Sequence, residues 1–120
     1  PYSRLTAYNL NTGDIAWQVP LGDGPRDHPL LRGLALGPLG SGGRGYPLLT
    51  KTLLFIGLRG LRGEAPTFMA IDKASGRTVW QTPLPLGPSS PMTYLHEGRQ
   101  YIVMAVGGGS DARIVAFAVP

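Results

Sequence analysis

The 120-residue sequence contains no cysteine, which excludes disulfide bonds and thiolate metal sites. This absence assigns no compartment, because many exported proteins also lack cysteine. Helix-favouring stretches are nearly absent, and the longest apolar run is too short to span a membrane. The chain starts at Pro1 with neither an initiator methionine nor a charged-then-apolar leader, so we expect it to be a piece of a longer protein.

Acidic residues are also few, seven against eleven basic ones, giving a formal net charge of +4. The arginines are scattered along the chain and mostly adjoin glycines or predicted turns. A nucleic-acid-binding protein would usually cluster them on one element with interleaved aromatic residues. The pattern therefore predicts a solvated basic surface and no nucleic-acid partner.

Glycine and proline, by contrast, are abundant, with 18 and 12 residues respectively. A content this high can indicate disorder. Here the two residue types lie between apolar, β-rich runs and do not form a continuous tract, so they indicate turns between strands. The sequence predicts an all-β protein.

An internal repeat is the most informative feature. Residues 7–17 and 70–80 are near copies, and both continue with Gln, one residue, Pro and Leu. Trp17 and Trp80 occupy the same place in each copy. Each copy predicts a strand, a tight turn and a strand, with Gly13 or Gly76 supplying the positive φ that the turn needs. A repeat of this kind predicts β-hairpins stacked in a larger array.

The copies start at residues 7 and 70, a wider spacing than the about 40–45 residues of a four-stranded propeller blade. We assign the excess to a Gly/Pro/Arg-rich loop. The predicted strands are 5–10, 15–19, 47–50, 52–58, 68–72, 78–82, 91–95, 100–106 and 113–119. They divide residues 1–120, taken as a single C-terminal propeller segment, into a half blade (1–21), the loop excursion (22–45), a complete blade (46–87) and three strands of a closing blade (88–120).

Such a segment cannot close a ring alone, because closed propellers have at least about four blades. Its open sheet edges would attract other chains. The segment is therefore expected either to continue into the rest of a larger propeller or to associate through its edges.

Few side chains suggest chemistry. Trp17 and Trp80 can stack on a flat cofactor, but their repeated position favours structural docking between sheets. His28 and His96 have no partner at ligand spacing, so they are predicted to be exposed turn residues and no metal site is expected. Ser41, in a glycine-rich run, lacks both the Gly-Lys-Ser/Thr ending and the following helix of a phosphate loop.

The sequence therefore contains no convincing catalytic set, since no carboxylate stands out as a buried base and no Gly-x-Ser-x-Gly elbow is present. The run from Gly107 to Gly109 follows the most strand-like segment. Such a run lets backbone come close to another group. An ordinary hairpin tip explains it equally well.

The repeated motif, Ala-x-Asp/Asn-x-x-Thr/Ser-Gly-x-x-x-Trp, resembles the tryptophan-docking repeat of quinoprotein dehydrogenases, eight-bladed β-propellers that use pyrroloquinoline quinone (PQQ). Segments 5–22, 47–57, 90–103 and 114–120 also look like the C-terminal region of the membrane-bound quinoprotein glucose dehydrogenases. The resemblance covers nearly the whole chain. The repeat alone is less specific, because non-catalytic propellers of outer-membrane assembly factors carry similar ones.

The resemblance implies four-stranded antiparallel blades, the last two to three of the eight. It also implies oxidation of an aldose such as glucose, or of an alcohol, in the periplasm, with electrons passed to ubiquinone. PQQ would lie on the propeller axis with a Ca²⁺ or Mg²⁺ ion. The catalytic Asp, the metal ligands and any inner-membrane anchor would belong to upstream parts, leaving this segment inactive alone.

Cofactor contact would come from Gly107, Gly108 and Gly109. The first two match the glycines of the family's Gly-Gly-His or Gly-Gly-Trp, which approaches PQQ, and Gly109 stands where the ring would be. The loop from Gly109 to Arg113 is also shorter than in the glucose enzymes of this family. The resemblance therefore does not identify the substrate. The competing function is a non-catalytic propeller scaffold that binds protein partners.

Overall fold

A computed structural model describes residues 2–26, 28–60 and 63–118. Within them, three antiparallel sheets contain β1–β2, β3–β6 and β7–β9 in sequential order. The strands are β1 (Arg4–Tyr8), β2 (Ile15–Pro20), β3 (Gly45–Leu49), β4 (Leu53–Leu58), β5 (Thr67–Asp72), β6 (Thr78–Pro83), β7 (Met92–His96), β8 (Arg99–Val106) and β9 (Arg113–Ala118). The groups of two, four and three strands match the strand grouping predicted from the sequence. Val119, the predicted end of the last strand, lies outside the described residues.

The two repeat copies have the same backbone. The N–H of Gly13 donates to the Asn9 carbonyl (2.7 Å), and the N–H of Gly76 donates to the Asp72 carbonyl (2.9 Å). Both glycines have positive φ, +80° and +74°, as predicted. β1 ends at Tyr8, before the predicted residue 10, because Asn9 already forms the turn through these hydrogen bonds.

The four-stranded sheet packs on both sides. Adjacent residues of a strand point to opposite faces, so Phe68 and Met69 on β5 enter different cores. The core shared with the first sheet contains Leu21, Leu54, Ile56, Leu58, Met69 and Ile71, with Leu5 and Trp17 against it. The core shared with the third contains Phe68, Leu84, Ile102, Met104 and Val106, with Leu48, Phe55, Leu86, Val115 and Phe117 against it.

Because successive strands run in opposite directions, the connections between them fall into two groups, one at each end of the sheets. The tight turns 9–14, 50–52, 73–77 and 97–98 lie at one end of the sheets, which we call the turn end. The connections 21–44, 59–66, 84–91 and 107–112 lie at the other, which we call the loop end. The loop end therefore holds the longer segments and the Gly107 turn.

The first of these connections closes on itself. Its two ends run side by side, with the N–H of Ser41 donating to the Leu21 carbonyl (2.6 Å) and that of Gly40 to the Gly22 carbonyl (3.0 Å). The Ser3 hydroxyl lies within hydrogen-bond distance of the carbonyls of both Leu21 and Ser41, either of which can accept its proton. Inside the loop, Pro29–Leu31 form a short 3₁₀ turn. The predicted excursion is thus an anchored loop.

Acid should weaken the second hairpin. The Asp72 carboxylate accepts from the Ser75 hydroxyl (2.6 Å) and the Ser75 N–H (2.8 Å), which lowers the pKa of Asp72 below 3.8. Stability from these bonds is present above pH 3.8 and is lost as pH falls through the lowered pKa. The stability advantage of the wild type over Asp72→Asn should therefore shrink below pH 3.8 in chemical denaturation. An advantage that stays constant into strong acid would contradict this.

Candidate cofactor-facing turn

The predicted cofactor-binding glycines form the turn between β8 and β9. Gly107 and Gly109 have φ of +80° and +59°, the left-handed region that favours glycine, whereas Gly108 has φ −172°, ordinary extended backbone. Gly109–Asp111 then form one 3₁₀ turn. Two of the three glycines are thus required by the backbone itself.

The inner side of this turn is crowded and its outer side is open. The Gly107 N–H donates to the Gly87 carbonyl (2.9 Å). A Cβ on Gly107 would lie 2.7 Å from Leu86 Cδ1 and 2.9 Å from the Asp111 carbonyl oxygen. A Cβ on Gly108 or Gly109 would meet no heavy atom within 4 Å. Gly107 therefore lies close to Leu86 and Asp111, and the neighbouring backbone remains accessible.

The accessible side offers hydrogen-bond donors. Among the described residues, the backbone N–H groups of Gly108, Gly109 and Ser110 have no acceptor. Successive N–H groups in a turn suit anionic or carbonyl oxygens. The turn therefore fits a planar quinone that carries carboxylates, since these three N–H groups have no acceptor in the described residues and the Cβ positions of Gly108 and Gly109 are open.

The two tryptophans take different environments. The Trp17 indole Nε1 donates to the Lys73 carbonyl (3.0 Å), and its ring lies over Gly76, where a Cβ would come 2.7 Å from Trp17 Cε3. Trp17 thus joins the first sheet to the turn end of the second. Trp80, in contrast, is 43 % exposed and makes edge contacts with the rings of Phe68 (6.2 Å) and Phe117 (5.7 Å).

The remaining sequence candidates are dispersed. His28 is exposed, and its Nδ1 accepts from the Leu30 N–H (3.2 Å). His96 is exposed near the β7–β8 turn. Within the described ranges no group of three or more His, Cys, Asp or Glu side chains could hold a metal ion. The described residues also include no helix of the length and apolarity needed to cross a bilayer.

Ser41, whose glycine-rich run lacks the features of a phosphate loop, is 7 % exposed and closes the loop after β2. The sequence did not predict this role. Only the flanking glycines hinted at this, since Gly22 and Gly40 adopt φ of +85° and +83° where the two loop ends meet.

Stacked antiparallel sheets joined through repeated hairpins are the architecture of β-propellers. Residues 1–102 match the family described as "PQQ: Glucose/ethanol/alcohol dehydrogenase, beta-propeller domain". The chain belongs to this family of PQQ-dependent dehydrogenases, which are oxidoreductases.

Curated relatives agree with this assignment. The chain is 32 % identical to a probable quinate dehydrogenase (quinone) of Xanthomonas campestris pv. juglandis, with 100 % of the chain and 16 % of the relative covered. It is 34 % identical to the glycerol dehydrogenase large subunit of Gluconobacter thailandicus (90 % and 15 %). It is 30 % identical to the quinoprotein glucose dehydrogenase of Escherichia coli strain K12 (99 % and 16 %).

The chain therefore spans about a sixth of the length of these relatives. Similarity to the glucose enzyme does not exceed similarity to the quinate and glycerol enzymes. The special likeness to glucose dehydrogenase expected from the sequence is not supported, whereas the wider family is.

Proposed function

We propose that this chain forms the C-terminal part of the propeller of a PQQ-dependent dehydrogenase that oxidises a sugar, an alcohol or a related polyol and passes the electrons to a quinone. The observation that carries the proposal is the family match over residues 1–102. The three antiparallel sheets support it as one half blade, one complete blade and three strands of another. Trp17 and Trp80 would dock successive blades.

Within that enzyme, the segment contributes a cofactor contact. The N–H groups of Gly108 and Gly109 would hold an oxygen of PQQ, and the hydrogen bond from Gly107 to Gly87 fixes the turn that carries them. Bound PQQ would supply the acceptor for the substrate hydride, which carries both electrons of the oxidation. The catalytic base and the ligands of a Ca²⁺ or Mg²⁺ ion would come from other parts of the protein.

The substrate class follows from what the relatives share. Quinate, glycerol and glucose, the compounds in the relatives' names, all carry several hydroxyl groups. A polyhydroxylated substrate is therefore our proposal. The names of two relatives, both dehydrogenases, include the word quinone, so a membrane quinone such as ubiquinone is the proposed electron acceptor. The periplasm is the proposed location.

Reconstitution tests the proposal. The complete protein, loaded with PQQ and Ca²⁺ or Mg²⁺, should reduce an artificial electron acceptor with at least one of glucose, glycerol, quinate or ethanol. Residues 1–120 alone should not. No turnover by a folded, PQQ-loaded complete protein with any of these substrates would contradict the dehydrogenase and favour a non-catalytic scaffold.

The Gly108 contact can be tested separately. Gly108→Leu should leave stability within about 0.5 kcal/mol of wild type, because its backbone is extended and its Cβ position is open. It should nevertheless weaken PQQ binding by about tenfold or more, equivalent to ~1.4 kcal/mol, by covering the donors. Gly37→Leu is the matched control, since its Cβ position is also open. Equal PQQ affinity in both variants and wild type would remove Gly108 from the cofactor site.

A further inference from the structure

A pocket of about 390 Å³ opens between the loop after β2 and the four-stranded sheet. Small-molecule sites usually have volumes of about 300–1,000 Å³. Leu58 and Met69, both buried, contribute apolar surface to it. None of the residues that line it comes from the Gly107 turn, so it is separate from the cofactor-facing turn.

The strongest indication of a ligand is the hydroxyl of Ser41, which lines this pocket. Ser41 is 7 % exposed, and its backbone is fixed by hydrogen bonds to Leu21 and from Ser3. Its Oγ has no hydrogen-bond partner among the described residues. No fully enclosed side-chain polar atom of the described residues lacks a partner, so this Oγ is not fully enclosed, and Ser41 is among the residues that line the pocket.

Three further residues of the wall are polar. Thr67, Thr78 and Gln81 line the pocket from β5 and β6. The Thr67 hydroxyl donates to the Ala65 carbonyl (3.1 Å), which leaves its oxygen free to accept. The Gln81 amide can both donate and accept.

These groups suit a neutral molecule with several hydroxyls better than a cation. Asp23 at the pocket is already paired with Arg26 (Oδ1 to Nη2, 3.2 Å), so its charge is balanced. Hydroxyl groups of a ligand can pair with the mixed donors and acceptors of the wall. The C–H surface of the same ligand can pack on Leu58 and Met69.

We propose that this pocket, which contains no residue of the Gly107 turn, binds a sugar or polyol. The inference does not depend on the proposed dehydrogenase activity, because it rests on the pocket's own residues. A ligand held here would donate to or accept from the Ser41 hydroxyl and the Gln81 amide.

Methionine-methyl NMR of the complete protein, without PQQ or metal, tests the proposal with D-glucose and glycerol as probes. Met69 lines the pocket, and Met69→Leu identifies its resonance. At least one probe should shift this methyl resonance saturably, while that of the exposed Met92 stays unchanged. A shift that is absent with both probes, or that grows linearly without saturation, would overturn the proposal.

Two variants locate the binding. Ser41→Ala and Gln81→Leu should each raise the dissociation constant about fivefold, the loss of roughly one hydrogen bond. Ser90→Ala and Gln100→Leu, outside the pocket, should leave it unchanged. Gln81 is exposed on β6, so its variant remains informative if Ser41→Ala disturbs the loop. Equal affinities in all four variants would overturn the proposal, whether or not the holoenzyme oxidises either probe.

Discussion

Replacing Trp17 with alanine should lower the free energy of unfolding by about 3 kcal/mol, near the lower limit for truncating a packed tryptophan. Trp17 packs against the core between the first two sheets and covers Gly76. Its indole also donates to the Lys73 carbonyl. The variant loses both the apolar contact and the only indole hydrogen bond seen between these sheets in the described residues.

Trp80→Ala is the matched control because Trp80 holds the same position in the second repeat copy. Its larger exposed fraction, 43 %, should reduce the loss to about 1–2 kcal/mol. Trp17→Phe should fall between wild type and Trp17→Ala, since it keeps an aromatic ring but loses a hydrogen bond of about 1 kcal/mol. Urea denaturation followed by far-ultraviolet circular dichroism measures all three. Equal losses for Trp17→Ala and Trp80→Ala would contradict the interpretation that the Gly76 turn supports Trp17.

Gly76→Ala should be nearly as damaging, at about 3 kcal/mol. The left-handed φ of +74° costs an alanine about 1–2 kcal/mol. The added methyl would also lie 2.7–2.8 Å from Trp17 Cε3 and Cδ2, so the ring must move. Gly13→Ala separates the two effects, because Gly13 has φ +80° but nothing within 4 Å of its Cβ position. Its loss should be only the conformational cost.

A double-mutant cycle completes this test. If the ring contact is responsible, Gly76→Ala should cost at least about 1 kcal/mol less when Trp17 is already alanine. Gly13→Ala should cost the same in both backgrounds. Additive losses for Gly76→Ala and Trp17→Ala would mean that the turn and the indole do not interact.

Local sequence features predicted most of the strand structure. The repeat, the positive-φ glycines and the apolar β-rich runs placed every strand boundary within two residues, apart from the end that lies outside the described residues. The hairpins are predictable because their hydrogen bonds join residues close in sequence. Asn9 shows the limit: its participation in the turn shortens β1, which residue type alone did not reveal.

Long-range contacts explain what the sequence did not predict. Identical motif positions gave Trp17 and Trp80 the same expectation, but only Trp17 has a turn glycine from the next sheet beside it. Trp80 instead contacts the ring of Phe117, on β9 of the third sheet. Likewise, Ser41 lines a pocket because the loop ends 21–23 and 39–41 meet, a closure that no local pattern encodes.

The most direct test of the account is a PQQ titration of the complete, folded protein in the presence of Ca²⁺ or Mg²⁺. Membership of the PQQ-dependent family and the open donors of the Gly107 turn predict saturable binding of one PQQ per chain, retained through gel filtration. Failure to retain PQQ, while circular dichroism shows an intact β fold, would contradict the central claim.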